Sequence, residues 1–113
     1  MTQNRKKLID LFIGNISNSI IHKILEKAID KEEISVKYSK ELVIGWEIAK
    51  EYRKKINPVN SPFPDKDIEY VKNRIKNKVK SELMLRILKG YKNIDLNLIE
   101  ELVDKDLREM KII

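Results

Sequence analysis

Positively charged side chains in the run KNRIKNKVK, residues 72–80, have the clearest capacity for binding chemistry. A cation stands at every second position: Lys72, Arg74, Lys76, Lys78 and Lys80. No carboxylate lies between Glu69 and Glu82, whereas a helix surface that serves only solubility usually mixes both signs. Cations that neutralise phosphates release condensed counterions and need no base readout. The run therefore predicts a surface that binds DNA or RNA, with a solvated helix face as the alternative.

The helical period spreads these cations around the solvent side of their helix. The predicted apolar stripe of this helix consists of Ile68, Val71, Ile75, Val79, Leu83 and Ile87. Lys72, Lys76 and Lys80 flank this stripe, whereas Arg74 and Lys78 lie on the far side. The cations are therefore expected to coat the whole exposed face rather than one ridge.

A second basic cluster, made of Arg53, Lys54 and Lys55, ends the helix predicted over 35–56. If that helix and the helix predicted over 65–89 are antiparallel neighbours, the cluster lies near the start of the basic run. The two clusters would then form one continuous patch for nucleic acid.

The net charge of +6 is unevenly distributed along the chain. Residues 35–93 carry fifteen Lys and Arg against seven Asp and Glu, whereas residues 94–113 carry three against six. A basic middle with an acidic end indicates a polyanion partner for one part and a cationic partner or self-association for the other. The alternative function is a protein-interaction adaptor or homodimer whose lysines only maintain solubility.

Groups suited to catalysis are sparse. The chain has no cysteine and a single histidine, His22, which shares a predicted helical face with Glu26. Two ligands do not complete a metal site, and no phosphate-binding glycine loop or nucleophile elbow is present. The sequence predicts a non-catalytic protein without a metal or cofactor.

The elements that would position the cations are helices. Glycine and proline number only three each, and all prolines fall in the stretch 57–64, at Pro58, Pro62 and Pro64. This break predicts two packed helical hairpins in a single all-α domain over 1–113, forming a compact bundle of four to five helices.

One apolar face runs along the predicted helix 35–56, with members at three- and four-residue steps: Tyr38, Leu42, Trp46, Ala49, Tyr52 and Ile56. Trp46 is expected to be mostly buried. Gly45 is unfavourable inside a helix, which indicates close backbone packing there.

Helix boundaries are less clear elsewhere. The stretch GNISNS predicts two helices split near 14–17, with one continuous helix over 3–31 as the alternative. After the break, Asp65 and Asp67 favour a helix start, and Gly90 suits the C-terminal cap. The aliphatic end 83–88 favours a core position over a dimer contact. A final helix is expected from Asp95 or Asn97, with a capping-box spacing from Asn97 to Glu100.

Membrane association is not expected. The N-terminal apolar run from Leu8 to Ile13 is short and contains Asp10. No stretch approaches the roughly 20 apolar residues of a membrane span. The sequence therefore predicts a soluble cytoplasmic protein.

Two stretches resemble known families in their helical pattern. Residues 24–56, which end in IAKEYRKKI, are similar to the helical hairpin that precedes the zinc ribbon in a protein subunit of archaeal ribonuclease P. Residues 75–107 are similar to the helical domain of GINS replication subunits. The zinc cysteines of the first family are absent, and the chain has no room for the small β-domain of the second. Both resemblances imply a non-catalytic subunit beside nucleic acid, in RNA processing or replication.

Overall fold

Four helices account for 81% of the residues that the structure describes, and no strand occurs among them. The computed structural model describes residues 2–29, 31–57 and 61–113, with side chains from residue 5 onward. The helices are α1 (Thr2–Ala28), α2 (Glu32–Ile56), α3 (Asp65–Leu88) and α4 (Leu98–Glu109). The predicted all-α bundle is confirmed, with four helices. The break at 57–64 separates α2 from α3, although Pro58 lies outside the described residues.

Helix α1 is continuous, so the predicted split near 14–17 is wrong and the single-helix alternative is right. The small residues of GNISNS serve packing rather than a turn. A Cβ atom added at Gly45 of α2 would lie 3.0 Å from the carbonyl oxygen of Asn15 and 3.3 Å from the backbone nitrogen of Ser19. The Ser19 hydroxyl donates to the carbonyl oxygen of Leu42 at 2.9 Å. The close packing expected at Gly45 is therefore confirmed.

Helix α1 supplies the centre of the core, because its backbone approaches all three other helices closely. Its buried apolar residues lie on more than one face: Ile9, Phe12, Ile13, Ile16, Ile20, Ile21, Ile24 and Leu25. Helix α3 also packs on α4, whereas α2 and α3 have no close backbone approach among the described residues. The condition for one continuous basic patch, that α2 and α3 are neighbours, is therefore not met, because each packs on α1 instead.

Helix α1 also meets the length and composition criteria for a membrane span over Arg5–Ala28, which corrects the expectation that no stretch comes near them. In the folded chain, 61% of the apolar window in that stretch is buried against the other helices. A central core helix has the same composition as a weakly apolar span, since it too is shielded from water.

The predicted apolar stripe of α3 is confirmed, whereas the predicted burial of its aliphatic end is only partly right. Val71, Ile75, Val79 and Leu83 are fully buried. Beyond them, Met84, Leu85 and Leu88 are exposed, and 79% of Leu88 is accessible to solvent. The core position expected for the aliphatic end is therefore wrong for these three residues, because α1 and α4 cover only one side of α3.

The C-terminal helix begins at Leu98, just after the predicted start. Asn97 makes no side-chain cap, so the expected capping box is not formed; instead its backbone N–H donates to the Asp95 carboxylate at 3.0 Å. Gly90 has a φ of 101°, the left-handed conformation expected of it after α3. Trp46, expected to be mostly buried, is half-buried against the core, with the Lys23 ammonium 4.8 Å from its ring centroid.

Candidate nucleic-acid interface

The five cations of the run at 72–80 fall into two sets. Lys72 and Lys76 face α4, where the Lys72 ammonium lies 2.9 Å from the Asp104 carboxylate and the Lys76 ammonium 3.1 Å from that of Glu100. The acidic end of the chain therefore folds onto its basic middle. The charge asymmetry predicted external partners or self-association, whereas part of it is an internal pairing of α3 with α4.

The second set is Arg74, Lys78 and Lys80. All three are exposed, and none forms an ion pair with a carboxylate in the described part of the chain. The Arg74 guanidinium carbon lies 5.7 Å from the ring centroid of Tyr70. Such a contact restrains the guanidinium without neutralising its charge. These three side chains are therefore accessible to a partner from solvent.

A polar groove runs between α1 and α3 beside Arg74 and Lys78, whereas Lys80 lies on the α4 side of α3, near Lys76 and Glu100. One section, of about 330 Å³, is lined by Asp10, Ile13, Arg74, Asn77, Lys78 and Ser81. The next section, of about 500 Å³, continues past Lys78 and Ser81 to Gly14, Asn18 and Leu85. A Cβ atom at Gly14 would lie 3.7 Å from the Lys78 ammonium, so the missing side chain leaves room beside that cation. The groove offers ammonium, amide and hydroxyl donors, the groups that bind phosphate oxygens, and the carboxylates of Asp10 and Glu82 also line it.

Tyr70 contacts Asp10, one of the residues that line this groove. Its hydroxyl donates to the Asp10 carboxylate at 2.8 Å, and this hydrogen bond raises the pKa of Tyr70. The bond joins the N-terminal halves of α1 and α3. Nearby, the Arg5 guanidinium pairs with Asp67 at 2.5 Å. Both contacts fix α3 against α1 and so position the cations along the groove.

Arg53 does not belong to the surface that sequence analysis assigned to it. Only 1% of the residue is exposed. Its Nε donates to the Met110 carbonyl oxygen at 2.8 Å, and Nη2 donates to those of Ser61 and Lys111 at 3.0 and 2.9 Å. Nη1 donates to both oxygens of Asn57. All its donors are used inside the fold, so Arg53 is a structural residue and not a phosphate contact.

Lys54 and Lys55 are exposed at the C-terminal end of α2. The Lys54 ammonium lies 3.6 Å from the Glu51 carboxylate, and the Lys55 ammonium lies 5.7 Å from the ring centroid of Tyr52. The α2–α3 adjacency that would join them to the run at 72–80 is absent among the described residues. The predicted continuous patch is therefore replaced by a separate surface on α3.

His22 has local partners. Its Nδ1 hydrogen-bonds the carbonyl oxygen of Asn18 at 2.7 Å, and its Nε2 lies 3.8 Å from the Glu41 carboxylate. Among the residues the structure describes, no group of three or more His, Asp and Glu side chains could hold a metal ion.

No protein-family model, curated protein or solved structure matches this chain. The resemblances of residues 24–56 and 75–107 to known families therefore find no support in these comparisons. Function has to be argued from the surface chemistry of the protein itself.

Proposed function

We propose that this protein binds the phosphate backbone of nucleic acid through Arg74, Lys78 and Lys80, as a small non-catalytic protein or accessory subunit in replication or RNA processing. The observation that carries the proposal is the division of the α3 cations. Two are neutralised by α4, and three remain exposed and unpaired within the described residues. Lys80 lies around the helix from Arg74 and Lys78, so the three cations present positive charge to phosphates on more than one side of α3.

The donors beside these cations support backbone contact without base specificity. Asn77 and Ser81 line the groove with Arg74 and Lys78. Lysine acts as a point charge on phosphate, and amide and hydroxyl groups bond phosphate or sugar oxygens. We therefore expect binding that depends strongly on salt and weakly on sequence.

The test is fluorescence anisotropy with labelled duplex DNA, single-stranded DNA and single-stranded RNA over a range of salt concentrations. The variant Arg74→Gln/Lys78→Gln/Lys80→Gln should flatten the log–log salt slope on duplex by roughly two to three, because each phosphate contact contributes about 0.9. The matched control, Lys50→Gln/Lys54→Gln/Lys55→Gln, removes the same charge from exposed positions on α2. The proposal would be overturned if both variants flattened the salt slope equally, or if the wild type did not bind any of the three nucleic acids.

A second candidate function is a protein-interaction adaptor. The exposed aliphatic end of α3 favours it, since Met84, Leu85 and Leu88 present apolar surface to solvent. Exposed apolar patches of this kind commonly mark protein contacts. If the wild type does not bind any of the three nucleic acids, this candidate takes first place.

A further inference from the structure

Helix α2 has an apolar face that nothing in the described structure covers. Gly45 and Ala49 face α1, the only helix of the described chain whose backbone α2 approaches closely. On the opposite side, 52% of Val43 and 60% of Ile44 are accessible to solvent. Val36 and Ile48 are exposed on the same side, within about two turns of this pair.

Close to the Val43–Ile44 pair, the charges on this outer face differ in sign on its two sides; farther away the order is mixed, with Glu32 and Glu33 exposed before the pair and Lys50 and Lys54 exposed after it. Lys37 and Lys40 lie before the Val43–Ile44 pair, and Glu47 and Glu51 lie after it; all four are exposed. Like charges three or four residues apart on a helix destabilise it slightly. Within the described residues, Lys37, Lys40 and Glu47 form no ion pair, and Glu51 has only the Lys54 ammonium at 3.6 Å.

We propose that this face binds a second copy of the chain, with the two α2 helices antiparallel about a twofold axis between Val43 and Ile44. Val43 then packs on the partner's Ile44, and Lys40 opposes the partner's Glu47. Because of the twofold symmetry, each of these contacts occurs twice in the dimer. A twofold interface must be self-complementary. Lys40 opposite the partner's Glu47 and Glu33 opposite the partner's Lys54 meet that condition, whereas Lys37 opposes the partner's Lys50.

The proposed contact involves one helix from each copy, so its buried area falls below that of a standard protein–protein interface. We therefore expect a concentration-dependent dimer rather than an obligate one. This inference does not depend on nucleic-acid binding, because α2 and the groove between α1 and α3 use different residues.

The test is sedimentation equilibrium of the whole chain, with charge reversals on α2. Lys40→Glu alone and Glu47→Lys alone should each weaken the dimer by about tenfold, because both copies of the pair become repulsive. Mixing the two single variants should restore association, since one copy then carries acids at positions 40 and 47 and the other carries lysines at both. The double variant Lys40→Glu/Glu47→Lys should also restore it, because the two charges exchange places and each again faces its opposite.

Two further variants separate this interface from others. Ile44→Gln should abolish dimerisation without changing the circular dichroism spectrum, because Ile44 contributes exposed surface and not core. Lys66→Glu, the same charge reversal at an exposed position on α3, should leave the dimer unchanged. A monomer at all concentrations, a dimer insensitive to Ile44→Gln and the α2 charges, or a mixture that fails to reassociate would overturn the proposal.

Discussion

The guanidinium carbon of Arg53 lies 4.8 Å from the ring centroid of Phe63, and both residues are buried. The guanidinium bonds the carbonyl oxygens of Asn57 and Met110, the C-terminal caps of α2 and α4. Each helix C-terminus carries a partial negative charge, so the two ends together compensate the buried cation. Burial lowers the pKa of Arg53, but arginine remains charged. Arg53 therefore joins the C-terminal ends of two helices to the segment before α3.

Replacing Arg53 should destabilise the fold markedly. Arg53→Met would leave several buried carbonyl oxygens without donors, and we expect a loss of about 2–4 kcal/mol in unfolding free energy. Arg53→Lys should recover only part of this, because an ammonium cannot reproduce the planar fork. Urea denaturation followed by circular dichroism measures both. Lys54→Met, next in sequence but exposed, is the control, and equal stability of all three variants would contradict the structural role.

The two helical glycines of the bundle should respond oppositely to alanine. Gly45→Ala would place a Cβ atom 3.0 Å from the Asn15 carbonyl oxygen, in the backbone of α1. We expect the free energy of unfolding to fall by about 1–3 kcal/mol, because the added methyl group overpacks the contact between α1 and α2. In Gly14→Ala, the added Cβ atom would meet only the Lys78 ammonium, at 3.7 Å. The free energy of unfolding should rise by about 0.5–1 kcal/mol, because alanine is more favourable than glycine inside a helix. Thermal unfolding of the pair checks the difference, and a stabilising Gly45→Ala would refute the close packing.

Burial makes Asp106 a source of pH dependence. Desolvation raises the pKa of this carboxyl above 3.8, although the Lys23 ammonium, 2.9 Å from each oxygen, opposes the shift. A raised folded-state pKa means that the folded protein binds the proton more tightly. The contribution of Asp106 to stability is therefore present below pH 3.8 and lost as the pH rises through the raised value.

The variant Asp106→Asn isolates this effect. Relative to the wild type, its unfolding free energy should rise as the pH increases from about 3 to 7, because the amide does not ionise. Urea titrations of both proteins at several pH values give the difference. A difference that is flat, or that falls over this range, would show that the Lys23 pair outweighs desolvation.

The sequence predicted the elements of this fold better than their arrangement. The period of Val71, Ile75, Val79 and Leu83 predicted the buried face of α3, because a helix on a core repeats its contacts every three to four residues. Gly45 predicted a close approach since glycine is unfavourable in a helix without a packing reason. Both signals come from residues that are close together in the sequence, so they can be recognised without knowing how the helices pack.

The candidate site was harder to predict, because it depends on contacts distant in sequence. Arg53 has the same charge as its exposed neighbours Lys54 and Lys55. It is buried because Met110 and Lys111, which are distant in the sequence, pack against it in the fold. The ion pairs between the basic run and α4 join residues far apart in the chain. The apolar periodicity of the two helices does not indicate which charged residues will pair. GNISNS carries turn-forming residues, yet packing against α2 holds it helical.

The pairing of α3 with α4 leads to a final prediction, which rests on the proposed nucleic-acid binding. If Asp104 and Glu100 neutralise Lys72 and Lys76, the variant Asp104→Asn/Glu100→Gln should free two more cations next to the binding face. Binding to duplex DNA should then strengthen at low salt, and the log–log salt slope should steepen by about one to two.

The matched control for this experiment is Glu101→Gln/Glu109→Gln. It removes the same charge from exposed acids of α4 that form no ion pair with α3 in the described structure. It should strengthen binding only slightly, because exposed charges act on a distant phosphate through screened solvent. If both double variants steepen the slope equally, net charge alone governs binding, and α4 does not mask the cations of α3.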